Sequence, residues 1–138
     1  MDERKMGVRE FVVRRAQGRC EYCQSQAMFA HQSFSIEHIR PRSRSGKRSV
    51  ANLALSCQGC NNHKYNKVNG RDPVTGETIQ LFHPRRQRWA NHFAWNEDCT
   101  VVMGLTPTGR ATVAALKLNR IGLVNLRRVL LKAQEHPP

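Results

Sequence analysis

Four cysteines in two closely spaced pairs are the residues of this sequence best suited to hold a metal ion. Two residues separate the cysteines of each pair, and that spacing lets both sulfurs reach one ion. Four thiolates complete the tetrahedral shell of zinc and leave no open position for a substrate, so its role would be structural. Disulfide bonds or a redox-active Cys-x-x-Cys are the competing interpretations. The sequence therefore predicts a structural zinc site formed by Cys20, Cys23, Cys57 and Cys60.

A second group of polar residues lies between the cysteine pairs and just after them. His38 follows Glu37 between the pairs, and Asn52 lies further along the same interval. Asn61 directly follows the last paired cysteine. A histidine can deprotonate water near neutral pH because its usual pKa is about 6.5. Carboxylate and amide oxygens suit a hard divalent cation. These residue types are therefore suited to hydrolysis of a phosphodiester.

Together the cysteines and the polar residues resemble the HNH endonuclease family. The resemblance is to the subgroup whose ββα-metal core is closed by a four-cysteine zinc site, and it extends from Cys20 to Lys64, roughly a third of the chain. A weaker likeness in residues 82–89 and 104–111 is to the C-terminal extension of bacterial proteins of this family, cyanobacterial ones in particular. The resemblance implies a metal-dependent endonuclease that hydrolyses DNA.

The resemblance also implies a role for each polar residue. His38 would be the general base that activates water, and Asn52 would bridge the adjoining loop and orient that base. Glu37 and Asn61 would hold Mg²⁺ or Mn²⁺, which stabilises charge on the scissile phosphate. The family more often has Asp at the position of Glu37 and His at the position of Asn61, so the choice and geometry of the metal are open.

Each of these assignments has a simpler structural alternative. His38 alone could be a half-buried strand residue, Asn52 a turn residue, and Asn61 a residue that caps the start of a helix. His63 is an alternative ligand for the cation. Because neighbours in a strand face opposite ways, Glu37 and His38 serve one site only if the strand ends or bulges there.

The net charge favours a polyanionic partner. The chain has 23 Lys and Arg against 10 Asp and Glu, a formal charge of +13. Nucleic acid is the first choice and an anionic membrane surface a distant second. We expect the loop between the two strands, with one residue of the following helix, to hold backbone phosphates, although a merely solvated basic loop is the alternative. The candidate contacts are Arg40, Arg42, Arg44, Lys47, Arg48 and Lys64.

DNA is the expected substrate, but RNA stays open because basic charge does not distinguish the two. A non-catalytic zinc-dependent nucleic-acid-binding module is the alternative function. One active site per chain predicts a monomer that nicks, or a homodimer that cuts both strands.

Residues 1–6 are charged, without a following signal-type apolar core, and no apolar run could span a bilayer. We therefore expect a cytoplasmic protein, whose paired cysteines bind metal.

Hydrophobic spacing predicts the elements that would position these residues, in an α+β fold. We expect a helix over 7–17, strands over 34–39 and 50–56, and a helix over 58–65, which gives the ββα order. The chain would form one domain, 1–138, with a core of about 18–68 and a C-terminal strand-plus-helices extension of about 69–134.

The extension has its own predicted elements. Residues 69–78 are rich in turn residues and predict a loop, followed by a strand over 78–82, a short basic helix over 85–93 and a strand over 100–105. Thr106 and Pro107 predict the start of a helix. In a last helix, Leu123 and Val129 should face the core and Arg127 the solvent.

Overall fold

A two-stranded antiparallel hairpin between two helices forms the N-terminal half of the computed structural model. The structure describes residues 6–138. The expected lack of a signal sequence rests on the charged segment 1–6, and the first five of those residues lie outside the described range. In the hairpin, Ser35 lies opposite Ser56 and His38 opposite Leu53. The elements of this half are α1 (Val8–Arg15), β1 (Ser35–His38), β2 (Leu53–Ser56) and α2 (Gln58–Lys64).

The C-terminal half contains two further hairpins and three helices. Each hairpin is an antiparallel pair of its own, and α4 packs against β3, β6 and α2. The α+β class and the ββα order of the first half are confirmed. The elements of the second half are β3 (Asn69–Arg71), β4 (Thr78–Gln80), α3 (Trp89–His92), β5 (Phe93–Trp95), β6 (Val102–Gly104), α4 (Pro107–Leu116) and α5 (Ile121–Lys132).

The segment predicted as a loop after residue 68 begins instead with a strand. Asn69–Arg71 pairs with Thr78–Gln80, and the turn residues lie within the connection of this hairpin. Asp72 holds the turn, because its carboxylate accepts hydrogen bonds from the Val74 N–H and the Thr75 hydroxyl, both at 3.0 Å. The turn signals in the sequence were therefore those of a hairpin loop.

Two residues of α5 face the opposite way from the prediction. Arg127 was expected on the solvent side but is only 3% exposed. Its guanidinium donates to the carbonyls of Thr100 and Leu118 at 2.9 and 2.7 Å. Val129 was expected in the core but is 63% exposed. Arginine can be buried when backbone carbonyls accept hydrogen bonds from its guanidinium group. Hydrophobic periodicity alone does not reveal such acceptors.

Hydrogen bonds join the first cysteine pair to both halves of the chain. Glu21, between the two cysteines, accepts from the Leu55 N–H at 2.9 Å and forms an ion pair with Arg85. The indole N–H of Trp89 donates to the Tyr22 carbonyl at 2.8 Å. The hairpin and the extension therefore pack on the same segment. Within residues 6–138, every helix is too short or too polar to cross a membrane.

Candidate functional site

The four paired cysteines converge in one buried cluster. Cys20 and Cys23 lie in the turn after α1, where the Cys20 N–H donates to the Ser25 carbonyl at 2.8 Å. Cys57 is the N-cap of α2, and its sulfur accepts from the Cys60 N–H at 3.4 Å. The four sulfur atoms all lie within 4.8 Å of one another.

This cluster has the dimensions of a zinc site. Zinc–sulfur bonds of about 2.3 Å place the sulfurs of a tetrahedron about 3.8 Å apart. The sulfurs of Cys23 and Cys57, which come from different pairs, are 3.7 Å apart. All four cysteines are free thiols, so the competing disulfide interpretation does not describe this structure. The donor set fits a tetrahedral zinc ion.

His38 ends β1 with one ring nitrogen buried and unpaired. Its Nε2 is enclosed by the protein and, among the described residues, has no hydrogen-bond partner. Partial burial of the ring lowers the pKa of His38, and the positive charges of Arg42 and Arg48 lower it further. The imidazole is therefore neutral at neutral pH, and the lone pair on its unprotonated nitrogen can accept a proton.

Asn52 ties the two ends of the basic loop together. Its carboxamide oxygen accepts from the Arg40 N–H at 2.8 Å, and its amide group donates to the carbonyls of Arg40 and Lys47 at 3.0 and 2.8 Å. Its backbone carbonyl accepts from the Ile39 N–H at 2.8 Å. These bonds bridge the loop and fix the backbone that follows His38.

Close backbone approach inside the loop requires glycine at position 46. The Gly46 N–H donates to the Pro41 carbonyl at 2.9 Å. A Cβ atom at this position would lie 1.7 Å from the Arg40 carbonyl oxygen, far inside contact distance. Any larger residue would push away the Arg40 backbone that Asn52 holds.

Glu37 faces the interior rather than the solvent side of the hairpin. It is 5% exposed, and its carboxylate accepts a hydrogen bond from the Tyr22 hydroxyl. The other carboxylate oxygen lies 3.3 Å from the Lys64 ammonium. Burial raises the pKa of Glu37, while Lys64 and Tyr22 oppose that rise. β1 pairs in regular register through both residues, so Glu37 and His38 keep opposite faces.

This arrangement does not fit Glu37 as an open ligand for a divalent cation. Both carboxylate oxygens already have partners, and one of those partners is itself a cation. The position of Lys64 also corrects the expectation that it holds phosphate. Lys64 is 1% exposed, and its ammonium donates to the Ile39 carbonyl at 2.7 Å.

Asn61 lies in α2 and is partly exposed. The alternative role of capping the helix is filled by Cys57. Two residues on, His63 is also partly exposed, and burial and neighbouring positive charges lower its pKa. Neither side chain makes a hydrogen bond within residues 6–138, but the positive charge around His63 disfavours a cation there. That charge comes from Arg120, Lys117 and Lys67.

The loop between β1 and β2 forms an exposed basic surface. Two of its arginines also support the loop: Arg40 Nε donates to the Arg44 carbonyl at 2.6 Å, and Arg44 Nε donates to the Asn66 carbonyl at 2.8 Å. The remaining basic side chains are free to meet an anion. The exposed residues of this surface are Arg40, Arg42, Arg44, Lys47 and Arg48.

A cavity of about 320 Å³ lies on the Asn52 side of the loop, and Ile39 and Arg40, which directly follow His38, help to line it. The loop forms one wall through Lys47 and Asn52, and the extension forms the other through Phe82 and Arg86. His38 does not line it, so the cavity is not where that imidazole would act.

Sequence reasoning missed Tyr22 as part of the site. Tyr22 is fully buried, and its hydroxyl holds the Glu37 carboxylate in place. An aromatic residue between two cysteines of a metal-binding pair was the available signal, because such a residue must pack beside the cluster. The partner of the Tyr22 hydroxyl, Glu37 in β1, could not be identified from the spacing of residues in the sequence.

Comparison with known proteins places the family match on this segment. The HNH endonuclease family model matches residues 20–67, which contain all four clustered cysteines, the hairpin and α2. No curated protein and no solved structure matches the chain. The resemblance indicated by the sequence is confirmed for residues 20–67.

Replacing Lys64 by Met should lower the free energy of unfolding by about 3 kcal/mol at pH 8, because Glu37 is left as an unpaired buried charge. Loss of the ammonium raises the pKa of Glu37 further above its usual 4.5. The folded variant then binds a proton more tightly than the unfolded chain. Its stability should therefore recover as the pH falls through the raised pKa of Glu37. Urea denaturation at pH 8 and pH 6, with zinc present, measures this.

Lys67→Met is the matched control, because Lys67 is an exposed lysine three residues further on. It should change stability by less than about 0.5 kcal/mol at either pH. Equal stability of the Lys64→Met variant and the wild type at pH 8 would contradict the buried ion pair.

Proposed function

We propose that this chain is a metal-dependent endonuclease that hydrolyses DNA phosphodiester bonds with His38 as its general base. One observation carries the proposal: an imidazole of lowered pKa, whose buried Nε2 has no hydrogen-bond partner among the described residues, lies close to exposed arginines inside the segment that matches the HNH family. A base of this kind and a phosphate-binding surface are the two parts that hydrolysis of a phosphodiester needs.

Arg42 and Arg48 would place the scissile phosphate near His38. Both guanidinium groups are close enough to the imidazole to lower its pKa, so a phosphate bound between them lies within reach of the same ring. The imidazole accepts a proton from a water molecule as the water oxygen attacks phosphorus. The phosphorus–oxygen bond to the leaving nucleotide then breaks, and solvent protonates the leaving oxygen.

We propose that Asn52 acts by positioning. It fixes the Arg40 backbone directly after β1, and that backbone sets where His38 and the arginines lie. The side chain has no free donor or acceptor aimed at a substrate, because the loop carbonyls and the Arg40 N–H use them. Its loss would therefore displace the base rather than remove a chemical group.

A divalent cation, Mg²⁺ or Mn²⁺, fits Asn61 better than Glu37. Mg²⁺ is commonly held by one or two protein ligands with waters completing its shell, so a free carboxamide suits it. When bound, such a cation neutralises charge on the phosphate. The proton transfer to His38 described above does not pass through it. Glu37 instead stabilises the structure through Lys64 and Tyr22.

We propose that zinc occupies the four-cysteine cluster in a structural role. Four thiolates leave no position for substrate, and a reducing compartment such as the cytoplasm keeps them free to bind metal. The N-terminal helix, the hairpin, α2 and the extension would act as one domain around it. One base per chain favours nicking by a monomer.

A non-catalytic zinc-dependent nucleic-acid-binding module is the second candidate function. The engagement of Glu37 by Lys64 favours it, since that ion pair removes the carboxylate that would complete a cation site. The exposed basic loop would bind nucleic acid equally well in either case. Cleavage, rather than binding, therefore separates the two functions.

Replacing His38 by Ala should lower the rate of plasmid nicking by about 100-fold or more, because the general base is lost. Supercoiled DNA is incubated with wild type or variant in Mg²⁺, Mn²⁺ or EDTA, and the nicked form is quantified. His31→Ala is the control, since His31 is exposed and precedes β1, outside the basic loop. It should cleave like the wild type.

If the His38→Ala variant still binds zinc and DNA, its loss of nicking activity is a loss of the hydrolysis step. Equal nicking by this variant and the wild type would overturn the role of His38. If the wild type binds DNA but cuts neither duplex, single-stranded DNA nor RNA with any tested metal, the binding module is the better account.

Replacing Arg48 by Gln should shift the acidic limb of the pH–rate profile to higher pH. Arg48 lowers the pKa of His38, so its removal brings that pKa back toward 6.5 and protonates the base at a higher pH. Single-turnover rates with protein in excess separate this effect from weaker binding. Lys47→Gln removes the same charge from the same loop and should leave the limb in place. If the acidic limbs of the two pH–rate profiles coincide for the wild type and the Arg48 variant, Arg48 does not lower the pKa of His38.

A further inference from the structure

The guanidinium of Arg120 lies directly against the cysteine cluster. One of its terminal nitrogens is 3.6 Å from the Cys60 sulfur, and the other is 3.6 Å from the Cys57 sulfur and 3.7 Å from that of Cys60. These are N–H···S hydrogen-bond distances, so two of the four sulfurs each accept from the same cation. Arg120 comes from the extension, 60 residues beyond the nearer cysteine, Cys60.

We infer that Arg120 is the counter-cation of the zinc–thiolate centre and that it slows the loss of zinc. The inference rests on the proposed zinc site. A zinc ion with four thiolates carries a net charge of −2, and burying that charge without a cation is costly. Charge-assisted hydrogen bonds to the thiolates also draw electron density from sulfur, which makes protonation and attack by a chelator less favourable.

Glycine at position 59 makes this contact possible. Gly59 lies in α2 between the two cysteines that Arg120 contacts. A Cβ atom built there would lie 2.6 Å from one terminal nitrogen of Arg120 and 2.8 Å from the central carbon of its guanidinium. Alanine ordinarily favours a helix over glycine by about 1 kcal/mol, so glycine here serves the close approach of the arginine.

The same guanidinium also binds the C-terminal end of α4. It donates to the carbonyls of Leu116 and Lys117 at 2.9 and 3.1 Å. These are carbonyls at the end of a helix, where a positive charge is favourable. Arg120 therefore lies between two electronegative groups, the thiolates at the start of α2 and the carbonyls at the end of α4. This gives the extension a specific task, which is to deliver a cation to the metal centre.

The experiment measures zinc retention in the 138-residue chain loaded with one zinc ion. A chromogenic chelator is added at fixed pH, and the rate and midpoint of zinc transfer are recorded. Arg120→Met keeps the length of the side chain without the charge, and Arg120→Lys keeps the charge without the two-pronged geometry. The Met variant should release zinc about 10-fold faster or more, and the Lys variant should be intermediate.

Two glycine variants distinguish the effect of the Arg120 contact on zinc release from the effect of a change in overall stability. Gly59→Ala displaces the guanidinium while leaving Arg120 in the sequence, and it should accelerate zinc loss. Gly122→Ala is the matched control, because a Cβ atom there meets nothing within 4 Å, and Gly122 also lies in a helix. It should release zinc at the wild-type rate.

The outcomes distinguish this inference from the zinc site itself. Wild-type release rates in Arg120→Met and Gly59→Ala would overturn the inference while leaving the zinc site intact. If Arg120→Met does not fold, the Gly59→Ala and Gly122→Ala pair still decides the question. A wild-type chain that binds no zinc overturns both. Faster zinc release from the Arg120→Lys variant than from the Arg120→Met variant would contradict a role for the positive charge.

Discussion

The convergence of four cysteine sulfurs is the constraint on which the rest of this structure depends. The first pair follows α1 and the second pair starts α2, so one ion on all four would fix the ends of two helices on either side of the hairpin. Structural zinc sites contribute on the order of 10 kcal/mol in small domains. The residues inside the first pair then reach outward, where Glu21 binds the extension through Arg85 and Tyr22 binds Glu37.

The alternation of β1 divides the chemistry between two faces. Glu37 faces inward to Tyr22 and Lys64, which keeps a buried carboxylate and ammonium paired beside the cluster. His38 faces the other way, where partial burial, and then basic side chains of the loop, lower the pKa of its imidazole. Asn52 and Gly46 hold the loop that connects these two environments. The buried ion pair and the proposed base are therefore neighbouring residues of one strand, placed on opposite faces by its period of two.

Local patterns in the sequence predicted much of this arrangement. The cysteine spacing, the order strand, strand, helix, and the helix start at Thr106 are short-range signals, and the structure has them. Lys64 and Arg127 were misassigned to solvent because their partners, such as Glu37 and Thr100, lie 27 residues away in sequence. Periodicity treats any charged residue as exposed. The contact of Arg120 with the cysteines depends on packing between the two halves and has no local signal.

The most direct test of this account is the zinc dependence of the fold. Native mass spectrometry counts the zinc bound per chain, and an amide NMR correlation spectrum is recorded before and after removal by a chelator. The account predicts one zinc per chain, loss of dispersed signals for both halves when zinc is removed, and their return when it is restored. A metal-free chain that keeps the full dispersed spectrum would contradict the claim that the cysteine cluster holds the structure together.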